Sequence, residues 1–405
     1  MRLEALPFIL AAGAAAAVVA YLVTPAVMRF AVSSGAIDEP DSGRRIHVRP
    51  IPRAGGLAVA VAFVGVGIAA IVINDAADFF RAFPFRVDGN ELIAVFGGAI
   101  LAATFGFIDD RWQIRARWQA AFQLVLAVFA IALGVTIATI NNPLDFVSGV
   151  FGAQTWQFAG VGAALITALW IVGMINSINF IDGLDGLSTG VALIAAVTLG
   201  IISLGFESTY QPMVALLCAA LAGALVGFLP WNFNPARVFI GTTGVMLVGY
   251  TLAVLSILGT AKIAVALLIL GVPIIDTFWI ITRRLISGKS PFTPDRGHFH
   301  HRLLDLGLTH KGAVLLIYAV TAALAALSLL LAGGSGPLYA FMAVVIGSGL
   351  LLLMLTFRVG KDEALEARSY PDVAGPGPST GGDGVAPGGE RSEASGSAAD
   401  GGGRQ

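Results

Sequence analysis

The chain has 405 residues, of which 57% are hydrophobic and only 12% charged, and its mean hydropathy is +0.84. A soluble globular domain carries about twice this share of charge, so the composition excludes an ordinary soluble protein and predicts an all-α protein that crosses a membrane many times. The net charge of -1 identifies no partner, and because Cys218 is the only cysteine, an intramolecular disulfide is excluded.

Apolar segments predict about eleven transmembrane helices, since each crossing needs roughly 20 apolar residues. The predicted spans are approximately residues 5–30, 54–73, 91–108, 116–139, 159–176, 187–205, 211–229, 240–259, 262–281, 312–333 and 337–357. The first has the position of a signal peptide, but its length and the basic loop after it favour a span. Residues 1–358 are therefore predicted to form a transmembrane domain. Residues 359–405, rich in Gly, Ser, Pro and Glu, are predicted to form a disordered cytoplasmic tail.

Cationic residues separate the two sides of the predicted membrane domain, because Lys and Arg accumulate in cytoplasmic loops. The loops after odd-numbered spans contain Arg44, Arg45, Arg49, Arg53, Arg111, Arg115, Arg237, Arg283, Arg284, Lys289, Arg296, Arg302 and Lys311. The loops after even-numbered spans contain only Arg81, Arg86 and Lys262. This asymmetry predicts an outer N-terminus, and every polar cluster that could do chemistry falls on the cytoplasmic side. A channel or transporter would place some of them near the bilayer midplane.

The stretch from Asn176 to Gly190, NSINFIDGLDGLSTG, lies between two predicted spans and carries two carboxylates three residues apart. On a helix, Asp182 and Asp185 would share one face; in a loop, the glycine after each would let the backbone approach a ligand closely. Carboxylates at the edge of a bilayer are costly without a use, which favours a metal, a nucleotide or another polar substrate. The alternative is structural, with Asp185 or Ser188 capping the next helix.

The first inner loop, residues 38–56, is strongly basic and ends in two glycines at the start of a span. Its cationic candidates are Arg44, Arg45, His47, Arg49 and Arg53. Arginine offers a planar fork of donors to phosphate, and a helix N-terminus with glycines offers free amides to an anion. A cytoplasmic anchor that touches only lipid headgroups is the alternative.

The second inner loop begins with two adjacent acids, Asp109 and Asp110, in FGFIDDRWQIRARWQ. Acids at a helix C-terminus are badly placed against the helix dipole, so a positive group should compensate for them. Mg²⁺ held by one or two carboxylates and by substrate phosphates is one solution. A salt bridge to Arg111, with Arg115 nearby, is the other.

The fourth inner loop, PWNFNPARVFIGTTGV at residues 230–245, offers two asparagines and a pair of glycines. Asn232 and Asn234 are able to hydrogen-bond a base or a sugar. The glycines bracket Thr242 and Thr243 near a predicted helix start, where a phosphate could also be held. Asn-Pro is equally ordinary turn chemistry, so this loop alone is a weak signal.

The fifth inner loop, residues 283–307, groups His298, His300 and His301 with Arg296 and Arg302 beside them. Zinc is one option, but such sites use spacing of the i, i+4 kind and a further Cys, Asp or Glu ligand. Imidazoles together with arginines fit a diphosphate better than a metal. A solvated basic loop is the alternative.

Together these segments resemble the polyprenyl-phosphate N-acetylhexosamine-1-phosphate transferases of glycosyltransferase family 4, which are related to phospho-MurNAc-pentapeptide translocase. The matching stretches, in family order, are RRIHVRPIPRAGG, FGFIDD, NSINFIDGLDGLS, FNPARVFIG and PIIDTFWIITRRLISGKSPFTPDRGHFHHRLLDLG. They cover nearly the whole predicted membrane region. The HFHHRL segment is similar to the branch that uses UDP-N-acetylglucosamine or a related sugar.

The resemblance implies that undecaprenyl or decaprenyl phosphate attacks the β-phosphorus of a UDP-N-acetylhexosamine and releases UMP, which initiates cell-envelope polysaccharide synthesis at the cytoplasmic face of a bacterial inner membrane. The implied catalytic residues are Asp109, Asp110 and Asp182. The implied substrate-binding residues are Arg44, Arg45, His47, Arg53, Asn179, Asp185, Asn234, Arg296, His298, His300 and His301. Mg²⁺, or Mn²⁺ in its place, would be held by Asp109, Asp110, Asp182 and Thr242. The expected partners are the two substrates and the bilayer, with no nucleic acid; a homodimer stays open.

The sequence departs from the family pattern at one place. Where the family has glycine, aspartate, a variable residue, glycine and serine, this chain has Gly241, Thr242, Thr243, Gly244 and Val245. The resemblance implies a Mg²⁺-binding aspartate at the position of Thr242, whose hydroxyl can ligate the ion but brings no charge. Two hypotheses stay open: an active transferase, or an impaired relative that binds polyprenyl phosphate or UDP-sugar without efficient turnover. A transporter is disfavoured by the one-sided clustering.

Overall fold

The computed structural model of the chain describes residues 5–38, 50–77, 87–142, 155–205, 210–259, 263–276, 299–331 and 336–347. Their helices are α1 (Leu6–Ser34), α2 (Gly56–Ala77), α3 (Gly89–Trp112), α4 (Ala116–Ala132), α5 (Gly160–Ile181), α6 (Leu187–Gly205), α7 (Pro212–Asn232), α8 (Gly241–Leu258), α9 (Ile263–Ile269), α10 (Phe299–Asp305), α11 (His310–Leu330) and α12 (Gly336–Gly347). Helical residues 271–276 follow α9 after a turn. The predicted tail, 359–405, lies outside the described residues.

The architecture is that of an all-α, multi-pass membrane protein. In the described part of the chain, eight helices are long and apolar enough to cross a bilayer: α1, α2, α3, α5, α6, α7, α8 and α11. α4 and α12 are apolar but shorter. Every one of the predicted spans contains helix in its described part, so the all-α membrane fold predicted from composition is confirmed.

The predicted fourth span, 116–139, is too long. α4 ends at Ala132, because Gly134 adopts a left-handed conformation with φ 93° and Val135 N–H returns to the carbonyl of Ala130. The chain then enters strand β3 (Thr139–Asn141), which pairs antiparallel with β4 (Thr155–Gln157). Hydropathy alone predicts one continuous span here, because it does not register the turn at Gly134.

A second short hairpin follows α1 and brings the first inner loop back to the bundle. Strand β1 (Ile37–Asp38) pairs antiparallel with β2 (Ile51–Pro52), with Ile37 opposite Pro52. Arg53 continues this pairing, because its N–H donates to the carbonyl of Ala36 at 2.9 Å. The hairpin thereby fixes where Arg53 leaves the strand and where α2 begins.

Two helices, α7 and α8, form the centre of the bundle. In the most apolar stretch of each, 83% of the residues are buried, against 22% for α1 at the periphery. α1 packs closely on α7, where a Cβ added at Gly223 would lie 1.9 Å from the carbonyl oxygen of Gly13. Small residues at such crossings let backbones approach and gain packing energy where lipid provides no hydrophobic drive between helices.

Candidate active site

One end of the bundle gathers polar residues that the sequence places in separate loops. α3 and α5 end there, while α6, α8 and α11 begin there. Hydrogen bonds join these termini directly, from Thr242 of α8 to Asp110 of α3 and from Asp185 to His310 of α11. The described parts of the inner loops therefore meet at a single end of the bundle.

Asp110 holds the C-terminal end of α3 against the N-terminal end of α8. Its Oδ1 accepts the N–H of Thr242 at 2.9 Å, and its Oδ2 accepts the N–H and the hydroxyl of Thr243 at 2.9 and 2.6 Å. A carboxylate at the end of its own helix is unfavourable, but at the start of another it meets unpaired amides and the positive end of the helix dipole. The positive group that the sequence demands beside this acid is thus, in part, a helix terminus.

The three hydrogen bonds from the start of α8 to Asp110 are called the Asp110 clamp below. In the described structure, Arg53 is the cationic side chain that forms an ion pair with this clamp. Its Nε lies 3.7 Å from Oδ1 of Asp110, and its Nη1 lies 3.3 Å from Oδ1 of Asp38. Arg111, the partner considered from sequence, instead lies over the ring of Trp112. The salt bridge beside the paired acids is therefore made across the fold, from the first inner loop, and not by the next residue in sequence.

Glycines leave room for the clamp. A Cβ added at Gly106 of α3 would lie 2.4 Å from the carbonyl oxygen of Thr242. Gly241 has φ 68°, and a Cβ there would lie 2.4 Å from Oδ2 of Asp110. Larger residues at either position would push α8 away from the carboxylate.

Asp109 is buried next to Asp110 but is bound to a different segment. Its Oδ1 accepts the N–H of Ile114 at 2.9 Å and Nε2 of Gln119 at 2.7 Å. These bonds close the turn from α3 to α4, in which Gln113 adopts a left-handed conformation with φ 49°. Asp109 therefore orders the second inner loop through one oxygen, and sequence reasoning missed Gln119 as its partner.

Asp182 follows the last residue of α5, and its ionisation is perturbed by its surroundings. Its Oδ1 accepts the hydroxyl of Ser188 at 2.5 Å. Burial raises the pKa of Asp182 to about 7; repulsion from Asp110 and Asp185 acts in the same direction, while Ser188 and Arg53 oppose it. Three carboxylates and one guanidinium therefore interact electrostatically around this position.

Asp185 ties its own loop to the fourth inner loop. Its Oδ2 accepts Nδ2 of Asn234 at 2.9 Å and the N–H of Ala236 at 3.0 Å. The alternative in which Asp185 caps α6 is wrong, because this carboxylate is bonded to the segment between α7 and α8. The side-chain amide of Asn234 therefore donates to a carboxylate of the protein. Asn232 is buried, and its side-chain oxygen accepts the hydroxyl of Thr189 at 2.6 Å.

α11 completes the surroundings of this loop with two residues that sequence reasoning did not select. Nε2 of His310 accepts the N–H of Asp185 at 2.9 Å, and the hydroxyl of Tyr318 donates to the carbonyl of Gly186. Neither residue belongs to a short motif. Only its proximity in the fold marks it, so no sequence signal would have found it.

The other candidates are only partly described. Asn179 lies in the last turn of α5, where its carbonyl accepts the N–H of Asp182. The positions outside the described residues are Arg44, Arg45, His47, Arg296 and His298. His300 and His301 belong to α10, with side chains outside the description. The diphosphate cradle inferred from the histidines stays a prediction.

The described acids fit a metal ion only in part. Within the described residues, no group of three or more His, Cys, Asp or Glu is arranged to hold one. Both oxygens of Asp110 already accept hydrogen bonds from α8, whereas Oδ2 of Asp109 and of Asp182 accepts none from the described residues. Mg²⁺ usually takes one or two carboxylates and completes its shell with water and substrate phosphates. Each of these two oxygens is therefore free of described protein partners, and the described residues alone do not cage an ion.

Comparison with known proteins places the chain in a family. The profile of Glycosyl transferase family 4 matches residues 92–260. A probable undecaprenyl-phosphate N-acetylglucosaminyl 1-phosphate transferase of Bacillus subtilis (strain 168) is 34% identical over 74% of this chain and 78% of its own length. A decaprenyl-phosphate N-acetylglucosaminephosphotransferase of Mycolicibacterium smegmatis is 34% identical over 87% of this chain and 90% of its own length. An undecaprenyl-phosphate alpha-N-acetylglucosaminyl 1-phosphate transferase of Escherichia coli (strain K12) is 29% identical over 73% of this chain and 76% of its own length.

The family profile spans Asp109 and Asp110 at the end of α3, the loop with Asp182 and Asp185, and the start of α8. The resemblance inferred from the motifs is therefore confirmed: the chain belongs to glycosyl transferase family 4, the polyprenyl-phosphate N-acetylhexosamine-1-phosphate transferases.

Proposed function

We propose that the protein transfers N-acetylglucosamine 1-phosphate from UDP-N-acetylglucosamine to undecaprenyl or decaprenyl phosphate, with release of UMP, at the cytoplasmic face of a bacterial cell membrane. The observation that carries the proposal is the convergence of Asp110, Asp182, Asp185 and Arg53 at one end of a membrane bundle. The named activities of the relatives support the same substrates. The distribution of cationic loops supports the cytoplasmic side.

The chemistry requires two phosphorylated substrates to meet. An oxygen of the lipid phosphate forms a bond to the β-phosphorus of the UDP-sugar, the bond from that phosphorus to the bridging oxygen breaks, and UMP leaves with the electron pair. With no metal ion bound to it, Asp182 has a pKa near 7, which suits a proton acceptor for a singly protonated lipid phosphate, because transfer is most efficient when the catalytic pKa lies near the working pH. As a ligand of a divalent cation, the same carboxylate would stay ionised and hold the ion instead. Arg53 supplies positive charge at the same place, where it offsets repulsion between the phosphates.

A divalent cation, Mg²⁺ or Mn²⁺, would when bound add Lewis-acid stabilisation of the phosphoryl oxygens. Asp109 and Asp182 are the residues that would hold it, together with the substrate diphosphate. Asp110 instead keeps α3 and α8 in register beside them. The basic first inner loop and the histidines of the fifth would contact the diphosphate from the cytoplasmic side.

A second candidate is an impaired relative that binds polyprenyl phosphate or UDP-sugar without efficient turnover. Thr242 favours it, because a neutral residue stands where the family pattern has an acid, and both oxygens of Asp110 are already engaged. Such a protein would bind substrate and release little UMP.

The test is an assay of the purified full-length protein with Mg²⁺, undecaprenyl phosphate and a panel of UDP-sugars. The first proposal expects UMP release that requires both lipid phosphate and UDP-N-acetylglucosamine. Substrate binding without UMP release would support the impaired relative. Neither binding nor release with any UDP-sugar would contradict both proposals.

A further inference from the structure

The loop that joins α5 to α6, residues 182–186, is held by contacts with two separate segments of the chain. From the first segment, the carboxylate of Asp185 accepts hydrogen bonds from Asn234 and Ala236. The second segment is α11, which begins 125 residues after Asp185 in the sequence and contacts the backbone of the same loop. Gly186 in this loop has φ 80°, and because glycine loses more conformational freedom on folding than other residues, contacts from outside the loop help to order it.

We propose that His310 and Tyr318 of α11 are positioning residues, which hold this loop so that Asp182 stays aligned with Asp110 and Arg53. The inference rests on the proposed transfer reaction. Nε2 of His310 accepts the N–H of Asp185, and the hydroxyl of Tyr318 donates to the carbonyl of Gly186, so that two adjacent residues of the loop are fixed at their backbones.

The ring of Tyr318 is accommodated by a glycine in the first turns of α6. A Cβ added at Gly190 would lie 2.0 Å from Cζ of Tyr318. The ring therefore packs directly on α6, and its hydroxyl reaches the loop before that helix. His310 and Tyr318 are eight positions apart, so both lie on the same broad face of α11.

His310 acts through Asp185 and not on substrate. Its Nε2 is already occupied by a backbone N–H, which requires that nitrogen to be unprotonated and leaves only Nδ1 as a donor. The side-chain hydrogen bonds of both residues are with a loop backbone, and α11 itself is only 33% buried in its most apolar stretch. Loss of either contact should therefore disturb the loop far more than the fold.

Three variants of the full-length protein test the inference. His310→Phe keeps ring volume and removes the acceptor; His310→Gln keeps an acceptor oxygen at similar reach; Tyr318→Phe keeps the ring against Gly190 and removes the hydroxyl. Lys311→Ala, on an exposed neighbour, and Tyr21→Phe, on exposed Tyr21 of α1, are matched controls. Each is measured for kcat and KM in UMP release, for thermal unfolding, and for hydrogen exchange of residues 182–190.

We expect both phenylalanine variants to lower kcat/KM for the UDP-sugar about 10- to 100-fold, as a small misplacement of catalytic groups does, with unfolding temperatures near those of the controls. His310→Gln should recover most of the loss. Exchange at residues 182–190 should rise in both phenylalanine variants and in neither control. In the double phenylalanine variant, kcat/KM should fall by less than the product of the two single-variant reductions, because both contacts hold the same loop.

Unchanged exchange at residues 182–190 in both phenylalanine variants would overturn the inference, whether or not the wild type turns over. Unchanged kcat/KM in an active protein, or a loss that His310→Gln does not repair and that follows the unfolding temperature, would overturn it as well. If the wild-type protein neither binds nor turns over any UDP-sugar, the proposed function is contradicted. The exchange measurement still decides in that case whether α11 holds the loop.

Discussion

The substitution Asp110→Asn isolates the clamp between α3 and α8, because it preserves side-chain shape and removes charge. The carboxylate accepts three hydrogen bonds from the first turn of α8. An amide has a single acceptor oxygen, so its NH₂ group must face either the N–H of Thr242 or the N–H and the hydroxyl of Thr243. The hydroxyl can rotate to accept from it, but the N–H cannot.

The expected cost follows from these contacts. An unpaired buried N–H costs about 1–3 kcal/mol, and hydrogen bonds that lose a charged acceptor weaken by roughly 1 kcal/mol each. Relief from burying a charge offsets part of this sum. We therefore expect Asp110→Asn to lower the free energy of unfolding by about 2–3 kcal/mol, and Thr243→Val, which removes only the hydroxyl bond, by about 1 kcal/mol.

The assay is unfolding of purified protein in mixed micelles, combined with hydrogen exchange in residues 241–245. Exchange there should accelerate by about 30- to 100-fold in Asp110→Asn, since 1.4 kcal/mol corresponds to a factor of ten. Asp75→Asn, an exposed acid near the far end of α2, is the matched control. Asp110→Asn with wild-type stability and unchanged exchange in α8 would refute the clamp.

If the site is impaired by its missing charge, Thr242→Asp should lower the Mg²⁺ concentration needed for half-maximal turnover and should raise turnover. A Mg²⁺ titration in which the aspartate variant depends on Mg²⁺ no more strongly than the wild type argues against impairment. The pKa of Asp182 near 7 exceeds its unfolded value of about 3.9. Ionisation of this carboxyl group therefore lowers the stability of the folded protein as the pH rises from about 4 to 7. Below pH 7, protons compete with Mg²⁺ for the same carboxylate. The apparent Mg²⁺ dissociation constant should therefore rise about tenfold from pH 8 to pH 6, and isothermal titration at both values checks it. Cysteines introduced at Ser42 and Ser290 should resist labelling from outside intact cells, because these loops are predicted to be cytoplasmic and the native Cys218 is buried and silent; labelling at both would overturn the predicted sidedness.

Composition and hydropathy were enough to predict the fold class, because apolar segments of membrane length have few other uses. They could not fix where a helix ends. α4 stops where Gly134 turns the chain, and the apolar residues beyond it belong to a connection and to strand β3. The two short hairpins were not anticipated either, since strands of two or three residues carry no periodic signal.

The acids of the site were recognised from sequence, but most of their partners were not. Asp182 and Asp185 stand out because carboxylates beside glycines are rare between apolar spans. Their contacts with Ser188, Asn234 and His310 depend on how α5, α7 and α11 pack. Asp110 shows the same limit: its position against its own helix dipole signalled a missing positive group, while the group itself, the start of α8, lies 132 residues away.

UMP release by Asp182→Asn tests the central claim most directly. The account predicts that the wild type releases UMP only when UDP-N-acetylglucosamine and a polyprenyl phosphate are both present. Asp182→Asn should reduce this rate by about 10² or more, as loss of a positioned base or metal ligand does, whereas Asp75→Asn should not change it. Near-normal turnover in Asp182→Asn, with the protein inserted and folded, would contradict the account.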